Sequence, residues 1–386
     1  MKIQMKKADR SLDARSLTTI ADWVIAQAVA IQRIPAPTFQ ERQRAELVSA
    51  VMTGHGLRDI DIDAMHNVYG RLPGTDPTLP ALMIVAHTDT VFGPDTDLSL
   101  RREAGTLHGP GIGDNSLGVG GMLGILHLFT SLELTPDRDL WFVATSCEEG
   151  LGDLKGMRAA FARLRERVGA VVNIEGLAFG HVYHAGIAVK RLRITARTGG
   201  GHSWLHFGRP SAIHALMQLG ARISALKPPQ TPRTTFNIGL IEGGTSINSI
   251  AASADIWLDL RSEEMNALAI LEEEIYRLIY SLTAPDVAFD VEVVGERPAG
   301  YISPDHPLVR AAVESLATVG VRATLETGST DGNIALAAGC PTVTVGITRG
   351  GNAHRLDEYA ETGPVKDGIR QLFQLVLAAQ DKDFKV

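Results

Sequence analysis

The chain has 386 residues, 45% hydrophobic and 21% charged, which is enough for a sizeable core shared between about two domains. A formal net charge of -7, with no run of basic residues interleaved with aromatics, gives no electrostatic footprint for nucleic acid. Cys147 and Cys340 are the only cysteines, too few for a disulfide framework or a thiolate metal site, so any metal must be held by histidines and carboxylates.

The N-terminal stretch MKIQMKKADRSLDAR is charged and is followed by no apolar run of signal-peptide type. No segment approaches about 18 uninterrupted apolar residues, so no membrane partner is expected and the cytoplasm is the expected location. From Ala81 to about Gly176, strand-like apolar runs at 82–86, 140–144 and 171–174 alternate with helix-like segments at 120–130 and 158–167. That is the pattern of parallel strands joined by crossover helices. A different texture begins near Gly186: strand 187–195, helix 210–226, strands 234–240 and 251–260, helix 263–282, strand 287–294. This βαββαβ order predicts a separate small domain with an antiparallel sheet. After Pro298 the alternation returns, with a helix at 308–318, a strand at 341–345 and a last helix at 364–379, so the small domain is inserted into the larger one.

Ligands in open α/β sheets gather at the carboxyl ends of the strands. There, "LMIVAHTDT" ends in His87 and Asp89, "WFVATSCEEG" in Glu148 and Glu149, and "VVNIEG" in Glu175, while "GPGIGDNSLG" puts Asp114 in the loop that opens a helix. His202 in "GGGHSW" and His354 in "GGNAH" also follow glycines. Two adjacent glutamates at the end of a buried strand repel each other and are costly to desolvate, so their placement calls for an explanation. Imidazole and carboxylate suit zinc-type ions, and one carboxylate can bridge two of them, so the set has the inventory of a two-metal hydrolytic centre. Singly, each residue has an ordinary alternative. A strand-end carboxylate can be solvated or cap a helix, His202 can be a turn residue beside Gly199 to Gly201, and Arg261 can sit in a surface ion pair. His108, His127, His181, His184, His206 and His214 read as ordinary polar or half-buried residues, and Cys147 as a packed small side chain with a protonated thiol. A dinucleotide reading of "GPGIGDNSLG" fails, because Ser116 stands where the third glycine belongs and no clear strand precedes it.

The ordered motifs "HTDTV", "GPGIGDNSLG", "SCEEGLGDLKG", "NIEG", "GGHSW", "DLRSEE" and "GGNAH" resemble the co-catalytic zinc peptidases and amidohydrolases that include peptidase T, glutamate carboxypeptidase, aminoacylase and acetylornithine deacetylase. The resemblance spans nearly the whole chain. It implies an α/β fold: a zinc-exopeptidase-type catalytic domain over 1–185 and 297–386, with an inserted ferredoxin-like α+β lid and dimerisation domain over 186–296. It implies two divalent ions, zinc or in its place cobalt or manganese. His87 and Glu175 would hold one and Glu149 and His354 the other, with Asp114 bridging and the Asp114-Asn115 peptide cis. Glu148 would be the general base toward the attacking water, and Asp89 would accept the remaining N–H of His87. His202 would stabilise the oxyanion, from its own chain or from the partner subunit of a homodimer built on lids. Arg261 and Asn248 would hold a substrate carboxylate, with Gly328 and Ser329 adding donors. Relatives that act as aminopeptidases or dipeptidases tend to carry Asp at the position matched by Glu175, and carboxypeptidase-like or N-acyl-amino-acid-cleaving relatives tend to carry Glu. The resemblance therefore implies a small substrate, an N-acyl amino acid or short peptide with a free carboxylate. The alternatives are a tripeptide or dipeptide aminopeptidase and a binding module without turnover.

Overall fold

The computed structural model describes residues 13–382 and 384, and the charged start MKIQMKKADRSL lies outside them. The chain separates into two units, one formed by the residues up to Gly186 and from Gly300 onward, the other by Ile187–Ala299. Arg297 to Ala299 thus go with the second unit, beyond the expected boundary. The strand Val287–Arg297 keeps its pairing with Ala188–Thr198 to the end, where Arg297 faces Val189.

The first unit is built on a nine-stranded mixed sheet. Its centre runs in the order Leu140–Thr145, Ala81–His87, Val168–Glu175, Thr342–Gly346, all mutually parallel. The first three are buried along almost their whole length, as parallel strands covered on both faces require. Alternation then divides the side chains between faces. Leu82, Ile84 and Ala86 join one apolar cluster with the helices Ala14–Gln32, Gly118–Ser131 and Val365–Ala379. Ala81, Met83 and Val85 join another beneath Lys155–Leu164. After Ala81–His87 the chain crosses to Leu140–Thr145 on one side and then to Val168–Glu175 on the other. The carboxyl end at His87 is therefore a switch point, where neighbouring connections diverge and leave a crevice. Antiparallel strands Val68–Leu72 and Arg58–Ile62 extend one edge. His181–Gly186 extends the other, antiparallel to Thr342–Gly346 and flanked by Gly300–Tyr301 and Thr324–Gly328.

The second unit is a four-stranded antiparallel sheet in the order Thr234–Gly243, Ser253–Ser262, Ala188–Thr198, Val287–Arg297. In Ser253–Ser262 the residues Ala254, Ile256, Leu258 and Leu260 alternate inward against the helices Ala212–Ser224 and Met265–Leu282. Asp255 and Asp259 alternate outward and pair with Arg193 and Arg191 of the neighbouring strand. Among the described residues no helix is long and apolar enough to cross a membrane.

Candidate metal centre

The strand Ala81–His87 ends level with its neighbour, His87 opposite Thr145. The chain beyond it is fixed by Asp89, whose buried carboxylate accepts the N–H of Glu148 and the N–H of Glu149, each at 2.9 Å, and the Thr38 hydroxyl at 2.9 Å. One carboxylate thus sets the backbone of both adjacent glutamates. Asp89 also fixes the His87 ring, with Nδ1 lying 3.2 Å from the Asp89 carbonyl oxygen and 3.5 Å from Oδ1. The nearer of these two Asp89 acceptors is the backbone carbonyl. Arg44 holds the same strand end from below. Fully buried, it donates Nη1 to the Thr88 carbonyl at 2.8 Å and Nε to the Ile34 carbonyl at 2.8 Å. Burial pulls its pKa down to about 10 against the opposing charges of Asp89, Glu358 and Glu41.

The Asp114 loop enters through Gly111, whose φ of 71° is open chiefly to glycine. A three-residue strand, Thr106–His108, precedes it. The Asp114-Asn115 peptide is cis. Asn115 donates Nδ2 to the Ile174 carbonyl and accepts the Gly176 N–H on Oδ1, each at 2.8 Å, so its amide clasps the residues on either side of Glu175. Gly176 leaves room for this approach, since a Cβ there would lie 2.1 Å from the Gly113 carbonyl oxygen.

These elements converge on Asp114. Its Oδ1 lies 3.1 Å from His87 Nε2, and its Oδ2 lies 3.1 Å from His354 Nε2. His87 Nε2 is also 3.5 Å from Glu175 Oε2, and His354 Nε2 is 3.1 Å from Glu149 Oε1. Ligand atoms of His87, Asp114 and Glu149 all fall within 4.8 Å of one another. Burial alone would lower the His87 pKa, but Glu175, Asp114 and Asp89 together hold it well above the usual imidazole value. Hydrogen bonds to Asp114 and Glu149 push His354 up to about 10. Burial favours the neutral form of Asp114, yet the two imidazoles outweigh it and hold the carboxyl below its ordinary value, while burial raises Glu175. Carboxylates outnumber imidazoles in this cluster, and a dication offsets such an excess. Nitrogen and oxygen donors without sulfur fit zinc-type ions.

Glu148 is buried beside Glu149, as is Cys147, whose thiol burial and the nearby Glu41 push up to about 12. Gly328 ends the strand Thr324–Gly328 and Ser329 follows it, and a Cβ on Gly328 would come within 2.8 Å of the Tyr183 ring. A cavity of about 260 Å³ opens beside Asp114 and Glu175, walled by Leu177, His181, Tyr183 and Ala353.

Asp331 and Glu358 are buried acids that the sequence does not mark as site residues. Asp331 accepts the Thr145 hydroxyl, and burial pushes its carboxyl up to about 7. Glu358 accepts the N–H groups of Gly111, Gly113 and Asp114 at 2.8, 2.7 and 2.9 Å, while burial pushes its carboxyl up to about 7. An Asp one residue past Ser-Thr and a Glu four past His354 carry no local signal, since their partners lie far away in sequence.

The remaining candidates belong to the second unit. His202 is exposed, and its Nδ1 accepts the N–H of Trp204 at 3.2 Å and of Leu205 at 3.4 Å. That assigns the neutral ring's proton to Nε2. Asn248 is exposed and accepts the Ser246 hydroxyl at 2.9 Å. Arg261 donates Nε to Asp259 at 2.7 Å.

Fold and cluster define a class: an α/β protein that gathers imidazoles and carboxylates at the carboxyl ends of parallel strands, in an arrangement able to hold metal. The model of peptidase family M20/M25/M40 matches residues 83–378, and the chain belongs to this family of metal-dependent hydrolases of amide bonds. The acetylornithine deacetylase of Proteus mirabilis is 24% identical over 392 residues, covering 96% of this chain and 91% of that protein. A tripeptidase from Staphylococcus aureus shares the fold with a TM-score of 0.77 at 19% identity, over 93% of this chain and 98% of its own. A dinuclear metal binding peptidase of the M20 family from Bacillus subtilis does so with a TM-score of 0.68 at 17% identity, over 93% and 98%.

Proposed function

We propose that the protein is a two-metal hydrolase that cleaves the amide bond of an N-acyl amino acid or short peptide bearing a free carboxylate, in the manner of a carboxypeptidase or aminoacylase. The observation that carries this reading is the pose of Asp114, which offers one oxygen toward His87 and the other toward His354. His87 and Glu175 would hold one divalent ion and Glu149 and His354 the other, with Asp114 shared between them. Zinc suits the donors, with cobalt or manganese as substitutes. When bound, the ions supply Lewis acidity that polarises the amide carbonyl and acidifies the attacking water.

The chain's own residues do the rest. Glu148, held beside the ligand Glu149 by their shared Asp89 partner, takes a proton from water as its oxygen attacks the carbonyl carbon. It returns that proton to the amine as the C–N bond breaks. Asp89 keeps the proton of His87 on Nδ1, so that Nε2 presents its lone pair. His202 carries its proton on Nε2, the form that donates to an oxyanion.

The second unit, Ile187–Ala299, acts as lid and dimerisation domain. Exposed Trp204, Leu205, Phe207 and Ile247 support a homodimer through this unit, because grouped apolar side chains at a surface mark contact sites. Arg261 and Asn248 there receive the substrate carboxylate, and Gly328 and Ser329 of the first unit add donors. Glu at position 175 and the deacetylase relative favour deacylation of a carboxylate-bearing substrate. Both cysteines are free thiols, which suits the cytoplasm.

The test is metal analysis joined to a substrate panel. Purified protein should carry up to two zinc-type ions per chain, lose activity to chelator, and hydrolyse N-acyl amino acids or carboxylate-ended dipeptides ahead of their amidated analogues. Preferential turnover of tripeptides with a free amine would replace this reading with an aminopeptidase. Full amidase activity in excess chelator would end it.

A further inference from the structure

Glu358 lies four residues beyond His354, yet its side chain serves another loop. Its Oε1 accepts the N–H groups of Gly113 and Asp114 at 2.7 and 2.9 Å, and its Oε2 accepts that of Gly111 at 2.8 Å. Its carbonyl accepts the Gly109 N–H at 2.9 Å, so side chain and backbone together grip the segment from Gly109 to Asp114. Glu358 itself is fully buried. Its own loop is tied by the Glu358 N–H to the Arg355 carbonyl at 3.1 Å. The strand Tyr359–Glu361 follows directly and pairs with Thr106–His108, just before the Asp114 loop.

We infer that Glu358 is a positioning residue that locks the Asp114 loop to the His354 loop, and so sets the distance between the bridging carboxylate and the second imidazole. The inference rests on the metal reading above. A carboxylate suits this task because it accepts on both oxygens without presenting a donor, whereas an amide in its place would turn an N–H group toward backbone N–H groups. In a loop with Gly at 109, 111 and 113 only Pro110 and the buried Ile112 offer side chains to hold it, and the carboxylate supplies a polar anchor for its backbone. Carboxylate binding by successive backbone N–H groups is the same chemistry that makes anion-binding concavities.

The test measures metal binding rather than turnover, by calorimetric titration of zinc into chelator-stripped full-length protein and by the visible spectrum of the cobalt-loaded form. Glu358→Gln should weaken zinc binding about 10- to 100-fold, the range for partners that orient ligands, and should alter the cobalt spectrum. Glu358→Asp, which keeps the charge but falls short of the three donors, should fold and bind with intermediate affinity. In an Asp114→Ala background, Glu358→Gln should add little further loss, because the residue acts through Asp114.

Losses that multiply in the double variant would reduce Glu358 to a general stabiliser and overturn the inference. So would wild-type affinity and spectrum in Glu358→Asp, whether or not Glu358→Gln folds. Wild-type protein that binds no metal would overturn the metal reading itself, which sets the two failures apart.

Discussion

Replacing Glu148 and Glu149 in turn by Gln separates two adjacent carboxylates that look alike in sequence. Both side chains are buried, and both backbone N–H groups are held by Asp89 at 2.9 Å, so an isosteric amide leaves the main chain in place at either position. The side chains differ in what they face. Glu149 Oε1 lies 3.1 Å from His354 Nε2, within the metal cluster. Glu148→Gln removes the proton acceptor alone. General-base catalysis contributes about 10²- to 10⁴-fold, so kcat should fall by that factor, a barrier increase of about 3–5 kcal/mol at about 1.4 kcal/mol per tenfold. Metal content should stay near that of the parent, and KM should change little. Glu149→Gln removes a ligand and a charge-assisted bond to His354, and one ion should be lost or bound at least about tenfold more weakly. The assay is steady-state hydrolysis with metal content determined on the same samples. Loss of metal from Glu148→Gln with normal content in Glu149→Gln would reverse the assignment. A kcat within tenfold of the parent for Glu148→Gln would remove its role as base.

His202→Ala should lower kcat by about 100-fold or more with metal content unchanged, and mixing it with Glu148→Gln chains should restore part of the activity if the histidine crosses between subunits. Absence of rescue after demonstrated subunit exchange would place the histidine's action within its own chain. Arg261→Ala should raise KM for free-carboxylate substrates about 10- to 100-fold, the worth of one hydrogen bond to a charged group, and leave amidated analogues nearly unchanged; an equal effect on both would remove the carboxylate contact. Burial lowers the pKa of His127, whose ring stacks on Trp23 at 4.6 Å and whose buried Nδ1 has no partner among the described residues. The unfolded chain then binds the proton more readily, so stability is lost as pH falls through the unfolded value of about 6.5. His127→Phe should therefore gain stability relative to the parent between pH 7 and pH 5 in denaturant melts, and a pH-independent difference would contradict the sign.

The strands that carry the cluster were legible because each is an apolar run stopped by a polar ligand-type residue: Leu82 to Ala86 before His87, Leu140 to Ala144 before the glutamates, Val171 to Ile174 before Glu175. Elements at the sheet margin were not. Thr324–Gly328 is largely exposed and pairs only with His181–Gly186, so it has no apolar run to announce it. The N-terminal helices Ala14–Gln32 and Arg42–Gly54 carry no ligand-type motif, although Arg44 on the second reaches the His87 strand end. The residues that cluster were legible in motifs, but their support was not. Asn115 clasps residues 174 and 176, Asp89 grips residues 148 and 149, and Glu358 grips the Asp114 loop, all through contacts distant in sequence. Such partners become visible only when the fold closes.

That Asp114 would join two metal ions is tested most directly by a crystal structure of the zinc-loaded protein with anomalous data at the zinc edge. Two peaks per chain are predicted, one contacted by His87 and Glu175, the other by Glu149 and His354, with one oxygen of Asp114 on each. A single peak, or two peaks not joined by Asp114, would contradict the account.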